Sequence, residues 1–369
     1  MISYTYDAAN RRATMQVPGQ ALVTYAYDNA DRLTGVTQGA VVTTYGNDAA
    51  NRRTSATLPN GVTAAYVYDT ASQLTSITYM SGATTLGTLT YTYDAAGHVS
   101  SRGSTLFQSV LPAAVTSATY NLANRLTART AAGVTASPVW DTNGSLTSDG
   151  LRTYTWDSRN RLTAISGLAT YAYDALGDGR QRRGLGVDER LSRGASTVLT
   201  DALGSTAGLA SADAVQTRYG YDPYGVASVT GTASANPFQF TGRENDSGTG
   251  LLNYRNRYYN PMWGRFVSED PIGIAGGVNA YHYVYNNPVQ LRDPSGLLPH
   301  FPNPLGPSPT GGDAFPIENA GCIANFIRAC AMIVGGLNGS NPVRNEQDKS
   351  KQPGSTGGTV ITGSSDPTK

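Results

Sequence analysis

Charge, histidine, cysteine and long aliphatic runs are all scarce in this 369-residue chain, and each shortage narrows what it can be. Asp, Glu, Lys and Arg make up only 14% of the residues, and 27 basic against 26 acidic side chains leave a formal net charge of +1. A surface so close to neutral has no field with which to attract nucleic acid or an anionic membrane, so no nucleic-acid partner is expected. The three histidines, His98, His282 and His300, are scattered along the chain. That gives no support to a zinc site or a His-based triad, and neither a metal nor a cofactor is expected. Cys322 and Cys330 are the only cysteines. If that stretch is helical, their backbones lie about 12 Å apart, too far for a disulfide. The N-terminal "MISYTYDAAN" has neither a basic n-region nor an apolar h-region, so no signal peptide is read there.

What the chain has in excess is Tyr (23) and Gly (42), together with Thr, Ala and Ser, a composition that favours strands and turns over helices. Much of it is periodic. "YTYDAANRR" (4–12) recurs as "YAYDNADRLT" (25–34), "YGNDAANRRT" (45–54), "YVYDTASQLT" (66–75) and "YTYDAAGHVS" (91–100). The pattern continues as "YNLANRLT" (120–127), "WDTNGSLT" (140–147), "YTWDSRNRLT" (154–163) and "YAYDALGDGR" (171–180). Asp7, Asp28, Asp48 and Asp69 follow one another at steps of 21, 20 and 21 residues, and later steps vary. A fixed unit with variable loops marks a stacked architecture. Within each unit "YxYD" alternates like a strand with both aromatics on one face. The Asp caps a turn, Ala-Asn or Ala-Gly bends it, and "RLT" begins the return strand. One such hairpin is marginal in water, so the units must pair edge to edge and bury a shared Tyr/Leu face.

These nine copies resemble the YD (Rhs) repeat family over roughly residues 1–225. The resemblance implies an all-β fold: a β-solenoid or cocoon-type wall of antiparallel hairpins, as in the shells of bacterial Rhs polymorphic toxins and toxin-complex proteins. The chain starts inside a repeat and is shorter than a full shell, so further N-terminal shell and delivery domains are expected as partners. Four segments are read: the repeat array (1–218), a core domain (219–297), a Pro/Gly-rich linker (298–312), and a variable, toxin-like or remnant segment (313–369). The tail is expected to be mostly irregular with one short helix, around "IENAGCIANFIRACAMIVGGLNG" (317–339), which is interrupted by Asn325 and Arg328 and too short to read as a membrane span.

From Tyr219 the pattern changes. "FTGRENDSGTGLLNYRNRYYNPMWGRFVSEDPIG", "GGVNAYHYVYNNP" and "DPSGL" follow in the order of the Rhs repeat-associated core domain, which this segment resembles. Three Asp-Pro-x-Gly sequences occur here, at 222–225, 270–273 and 293–296. By their residue types alone all three are turns whose Asp accepts backbone hydrogen bonds. "VNAYHYVYNN" alternates like one strand, which would return Asp270 and Asp293 to each other. Two carboxylates held close share a proton, so that one serves as base and the other as acid. The resemblance implies that use. In the family this segment cuts its own chain after the Leu of "DPxGL", which transfers to Asp270 and Asp293 as the catalytic pair, Arg257 as the associated cation, and Leu297–Leu298 as the bond cut. Read without the family, Arg257 is an ordinary ion-pair partner at the surface.

Two functions from different classes therefore stand. One is a shell and core fragment of a polymorphic toxin that encapsulates its own C-terminal segment and cleaves itself by an aspartyl mechanism. It would be secreted or surface-displayed by a bacterium through a specialised system, and an immunity protein would be a further partner. The other is a non-enzymatic wall-associated repeat protein that binds cell-surface carbohydrate through exposed Tyr and Trp. The 298–369 segment holds no constellation that names an activity.

Overall fold

The computed structural model describes residues 2–171, 182–183, 190–193, 195–246 and 248–300. It is built from one turn used many times. In each repeat the Asp carboxylate accepts backbone N–H groups from the residues two and four positions on: Asp28 from Ala30 and Arg32 (2.9 and 3.0 Å), Asp48 from Ala50 and Arg52 (both 2.9 Å), Asp157 from Arg159 and Arg161 (both 2.9 Å). The third position adopts a left-handed backbone, as at Asn10 (φ 60°), Asn51 (62°), Gly97 (81°) and Asn160 (56°). Asn, Asp and Gly tolerate that conformation at low strain, which is why the motif ends in Asn-Arg, Asp-Arg or Gly-x. The strand pairing slips by one residue just before the Asp, for example between Ala26 and Tyr27 and between Val67 and Tyr68. That is the bulge expected of a turn closed by a left-handed residue.

A second contact stitches each repeat to the one before. The residue preceding the capping position reaches back to the carbonyl five positions past the previous cap. Tyr27 donates to Arg12 O (3.0 Å), Tyr68 to Arg53 O (2.9 Å), Tyr93 to Leu74 O (2.7 Å), Trp140 to Leu126 O (2.8 Å) and Trp156 to Leu146 O (2.7 Å). Where Asn47 replaces the aromatic, its amide makes the same bond to Leu33 O at 3.2 Å. Tyr221 repeats it toward Thr206 O at 2.9 Å. That last contact exposes a repeat missed in the sequence: "LTDALGST" lacks the tyrosines, yet Asp201 accepts from Leu203 (3.0 Å) and Ser205 (2.7 Å) as the others do.

The result is all-β and antiparallel. Ten strands from Ser3–Tyr6 to Val99–Ser104 pair in chain order, followed by sheets of three, two, three, six and four strands, each also in chain order. Among the described residues no α-helix occurs; three short 3-10 turns lie in the core segment. No helix there is long and apolar enough to cross a membrane. The short helix expected in the C-terminal tail lies outside the described residues.

Alternation along the strands delivers Tyr25, Leu33, Tyr45, Leu74, Ile77, Tyr79 and Leu89 to one buried cluster, which Leu199, Ala207 and Val215 of the six-stranded sheet complete. A second cluster is aromatic: Tyr219, Phe240, Tyr254, Tyr259, Phe266 and Tyr283. Its rings meet edge-on or tilted, with centroids 4.6 Å apart for Tyr259–Tyr283 and 5.7 Å for Tyr254–Phe266. Tyr219, Tyr254, Tyr259, Tyr281 and Tyr283 are fully buried, so none of them lines a carbohydrate-binding surface.

The strand read over "VNAYHYVYNN" is not formed. His282 makes a single bridge with Arg265, and Val284–Asn286 is a 3-10 turn in which all three residues have positive φ (42°, 54° and 60°). Burial of Tyr281, Tyr283 and Val284 accounts for the departure, because the chain must bend to seat all three in the interior.

If the tyrosine hydroxyls tie the repeats, Tyr221→Phe, which strands the buried Thr206 carbonyl, should lower unfolding free energy by about 1–3 kcal/mol. Tyr4→Phe at an exposed position should change it by no more than about 0.5 kcal/mol. Urea denaturation of the two variants measures the difference.

Candidate active site

Asp293 forms the same turn as the repeat aspartates, with one change. Its Oδ1 accepts N–H groups from Ser295 (3.2 Å), Gly296 (2.7 Å) and Leu297 (3.1 Å). In several repeats the other carboxylate oxygen is taken by an Arg four positions on: Arg11, Arg32 and Arg52 each bring Nε within 2.7 Å of Asp7, Asp28 and Asp48. Four positions after Asp293 stands Leu297, whose side chain has no donor to offer. Oδ2 of Asp293 therefore faces a cation from elsewhere, Arg257 Nη2, at 3.7 Å. The same nitrogen lies 2.9 Å from Asp270 Oδ2. The two carboxylate oxygens are thus no farther apart than those two distances combined. All three side chains are buried, with 2–4% of their surface exposed.

Arg257 is held on every side. Nε donates to Gly296 O (2.5 Å), Nη1 to Ala280 O (2.9 Å), and the guanidinium lies 3.6 Å over the Phe266 ring. The surface ion pair read for Arg257 without the family is replaced by a cation sealed between two acids and an aromatic face. Asp270 accepts from Ile272 N (3.1 Å) and closes its turn through Gly273 N to its own carbonyl (2.9 Å). Gly276 packs so tightly on this carboxylate that a Cβ there would sit 2.4 Å from Oδ2.

The segment leading to Leu297 is pinned carbonyl by carbonyl. Arg243 Nη1 (2.9 Å) and Arg255 donate to Pro294 O, and Asn256 donates to Ser295 O from its side chain (3.0 Å) and its backbone (3.3 Å). Beyond the Leu297–Leu298 bond the chain returns, and Arg292 and His300 exchange two backbone hydrogen bonds of 2.9 and 2.6 Å. The bond thus lies in a short loop closed at its base, with Leu297 and Leu298 half-buried. Arg243, Arg255 and Asn256 stand within the sequence motifs with no role assigned to them; the signal was three cation or amide donors crowded into "NYRN" and "GREN" beside an acid pair.

Burial controls the electrostatics. Removal from water pushes the carboxyls of Asp270 and Asp293 up, against the lowering pull of Arg257 and of the backbone N–H groups on each. The same loss of water pushes Arg257 down to about 10, partly restored by the two acids. With both acids ionised the triad carries one uncompensated negative charge in a dry site, and a proton on either acid removes it. His282 lies near enough to act electrostatically on Asp270, and burial lowers its pKa against the hydrogen bond to the Asn279 carbonyl, which raises it. Asp222, in the remaining Asp-Pro-x-Gly turn, accepts from Tyr224 and Val226 (both 2.9 Å) and takes no part in the site. No cluster suited to a metal occurs among the described residues.

A run of antiparallel repeat hairpins carried into a core that packs two carboxylates around one guanidinium defines an all-β repeat protein. Residues 48–85 match the family model described as RHS Repeat. The chain is 43% identical over 86 residues to the toxin subunit YenC1 of Yersinia entomophaga, covering 22% of this chain and 9% of that protein. It is 45% identical over 64 residues to the toxin protein Tse5 of Pseudomonas aeruginosa, covering 17% and 5%. The solved Tc holotoxin pore of Photorhabdus luminescens, with a mutation in TccC3, shares the fold at a TM-score of 0.62 and 18% identity, over 84% of this chain and 22% of that one. The chain thus corresponds to a small part of each relative.

The closeness of Gly276 to Asp270 supplies a test of this packing. Gly276→Ala should destabilise the protein by about 1–3 kcal/mol, since its methyl must displace a buried carboxylate. In an Asp270→Ala background the same substitution should be close to neutral. A double-mutant cycle read by urea denaturation checks the coupling.

Proposed function

We propose that this chain is shell and core of a bacterial toxin-type assembly that cuts its own backbone between Leu297 and Leu298. The observation that carries the reading is Arg257 Nη2 lying beside both Asp270 and Asp293, while Asp293 also holds the N–H of Leu297. In the single-proton state one carboxylate is free to take a proton from water as the water oxygen attacks the Leu297 carbonyl. The protonated partner then delivers its proton to the Leu298 nitrogen as the C–N bond breaks. Water is consumed, a carboxyl and an amine are formed, and the pair ends with one proton as it began. Arg257 orients both acids and keeps the triad near neutrality. Because the bond is on the same chain and its approach is pinned through three successive carbonyls, position rather than affinity supplies the advantage, and a single turnover is enough.

The segment behind the cut would be enclosed cargo, released from its covalent link but kept in place by further shell and delivery domains. An immunity protein would protect the producing cell, and export would use a specialised secretion route.

Intact-mass analysis of the full chain should find a fragment ending at Leu297 and a second beginning at Leu298, both absent in Asp270→Asn and Asp293→Asn. Non-enzymatic acid cleavage would break the chain after Asp270 or Asp293 instead, before the prolines. The rate should peak where the pair holds one proton. Because burial raises both acids, it falls as pH rises through the higher apparent value, when the shared proton leaves, and falls again in stronger acid, when the base is filled. A wild-type chain that stays whole through this range in the complete assembly would remove the proposal.

A further inference from the structure

We infer that Arg125, a residue of the repeat wall, is a positioning residue for the acid pair, so that cleavage depends on the wall being seated against the core. This rests on the self-cleavage reading above and adds to it a part the wall plays.

The starting point is a departure from the repeat. "YNLANRLT" carries Asn121 where the other copies carry Asp. The turn survives, since Asn121 Oδ1 still accepts from Ala123 N and Arg125 N, both at 3.0 Å. What is lost is the second carboxylate oxygen, the one that captures the Arg four positions on in the copies at Asp7, Asp28, Asp48 and Asp157. An amide nitrogen stands in its place and cannot accept from a guanidinium. Arg125 is thereby released, and it reaches into the core instead.

There it makes two contacts that matter. Nη2 lies 2.9 Å from Glu269 Oε1, and Nε donates to the Tyr281 hydroxyl at 3.0 Å. Glu269 is bonded directly to Asp270. Tyr281 is bonded to Ala280, whose carbonyl accepts from Arg257 Nη1. One guanidinium from the wall therefore holds the chain neighbour of an acid, and the chain neighbour of a residue whose carbonyl holds the central cation. Meanwhile Nη1 donates to Asp141 O (2.9 Å), as the other repeat arginines do to the next turn, so the wall end of the tether is secured.

The surroundings are shaped for this contact. Tyr281 is fully buried, its hydroxyl lies 2.9 Å from Gly144 O and 3.0 Å from Glu269 Oε1, and its ring meets Trp140 edge-on at 5.0 Å. Gly144 has φ 79°, and a Cβ on it would sit 2.3 Å from Glu269 Oε1. A parallel tie runs the other way, from Arg265 to Asn124 O in the same wall turn and to Asn279 Oδ1 at 3.2 Å.

The test uses the full chain made by pulse-labelled cell-free synthesis, with the rate of appearance of the Leu297-terminated fragment as readout. The variants are Asp293→Asn, Arg125→Met, Arg125→Lys and Asn121→Asp. Asn121→Asp is the sharp one: it keeps the turn and should hold the melting midpoint at or above wild type. It also restores the local carboxylate that recaptures Arg125, and cleavage should slow about tenfold, the size of one charge-assisted hydrogen bond. Arg125→Met should slow it at least as much, and Arg125→Lys should recover part of the rate. If wild type is cut, Asp293→Asn is not, and both Asn121→Asp and Arg125→Met cleave at the wild-type rate, the tether plays no part and this inference alone falls. If wild type itself is not cut, the self-cleavage reading falls and takes the inference with it.

Discussion

The aspartate turn is the constraint on which everything else depends. One carboxylate oxygen satisfies two backbone donors that a tight bend would otherwise leave open, and a left-handed Asn, Asp or Gly closes it. The carboxylate's second oxygen is then spare. In the repeats it holds Arg11, Arg32, Arg52 or Arg161, and Arg11, Arg32 and Arg52 each also reach the backbone carbonyl of the next repeat's Asp. These ion pairs are partly exposed and individually weak. Their value is geometric, because each fixes the distance between successive turns while the buried Tyr, Leu and Ile residues supply the apolar stabilisation.

From that device the site follows by two edits. Replacing the Arg four positions on by Leu297 leaves the second oxygen of Asp293 without its local partner, and burial makes that oxygen seek a cation from another segment. Placing Asn121 at the position where the other repeats carry Asp leaves an arginine without its local acid, and Arg125 crosses to Glu269. Both edits use the same chemistry: a turn tolerates loss of its outer ion pair because its inner hydrogen bonds remain. Structural turns and candidate chemistry are thus compatible at Asp293, and the turn reading and the acid reading of "DPSG" describe two oxygens of one side chain.

The wall was legible in the sequence because its determinants are local. Alternating aromatics, a capping Asp and a left-handed residue all fall within six positions, and they recur. Asp201 escaped because Val198 and Thr200 stand where the other repeats carry tyrosines, so only the side-chain hydrogen bonds identify it. The pairing of Asp270 with Asp293 came from motif resemblance, and the strand expected to bring them together is absent. In its place the chain has three consecutive positive φ values at Val284, Tyr285 and Asn286, a bend that no alternation pattern encodes. The carbonyl clamps from Arg243, Arg255 and Asn256 were equally hidden, since a donor's target on a distant backbone leaves no mark on its own sequence neighbourhood.

A buried cation with two buried acids is a poor way to stabilise a protein. Desolvation of three charges outweighs much of their mutual attraction, which is why Asp270 and Asp293 shift up and Arg257 shifts down despite lying together. Two raised carboxyls lend the fold stability that is fully present only below the ordinary carboxylate range and is lost as pH rises through their folded values. A site that served stability alone would place apolar side chains here, beside Phe266 and the aromatic cluster that already fills the interior. The surrounding hydrogen bonds with Ala280, Gly296, Ile272 and Ser295–Leu297 serve to hold an arrangement that neutral pH disfavours. That cost falls beside a loop closed by the Arg292–His300 bridge, and the proposed self-cleavage would use it, because the one proton the pair retains is the proton it would deliver to the leaving nitrogen.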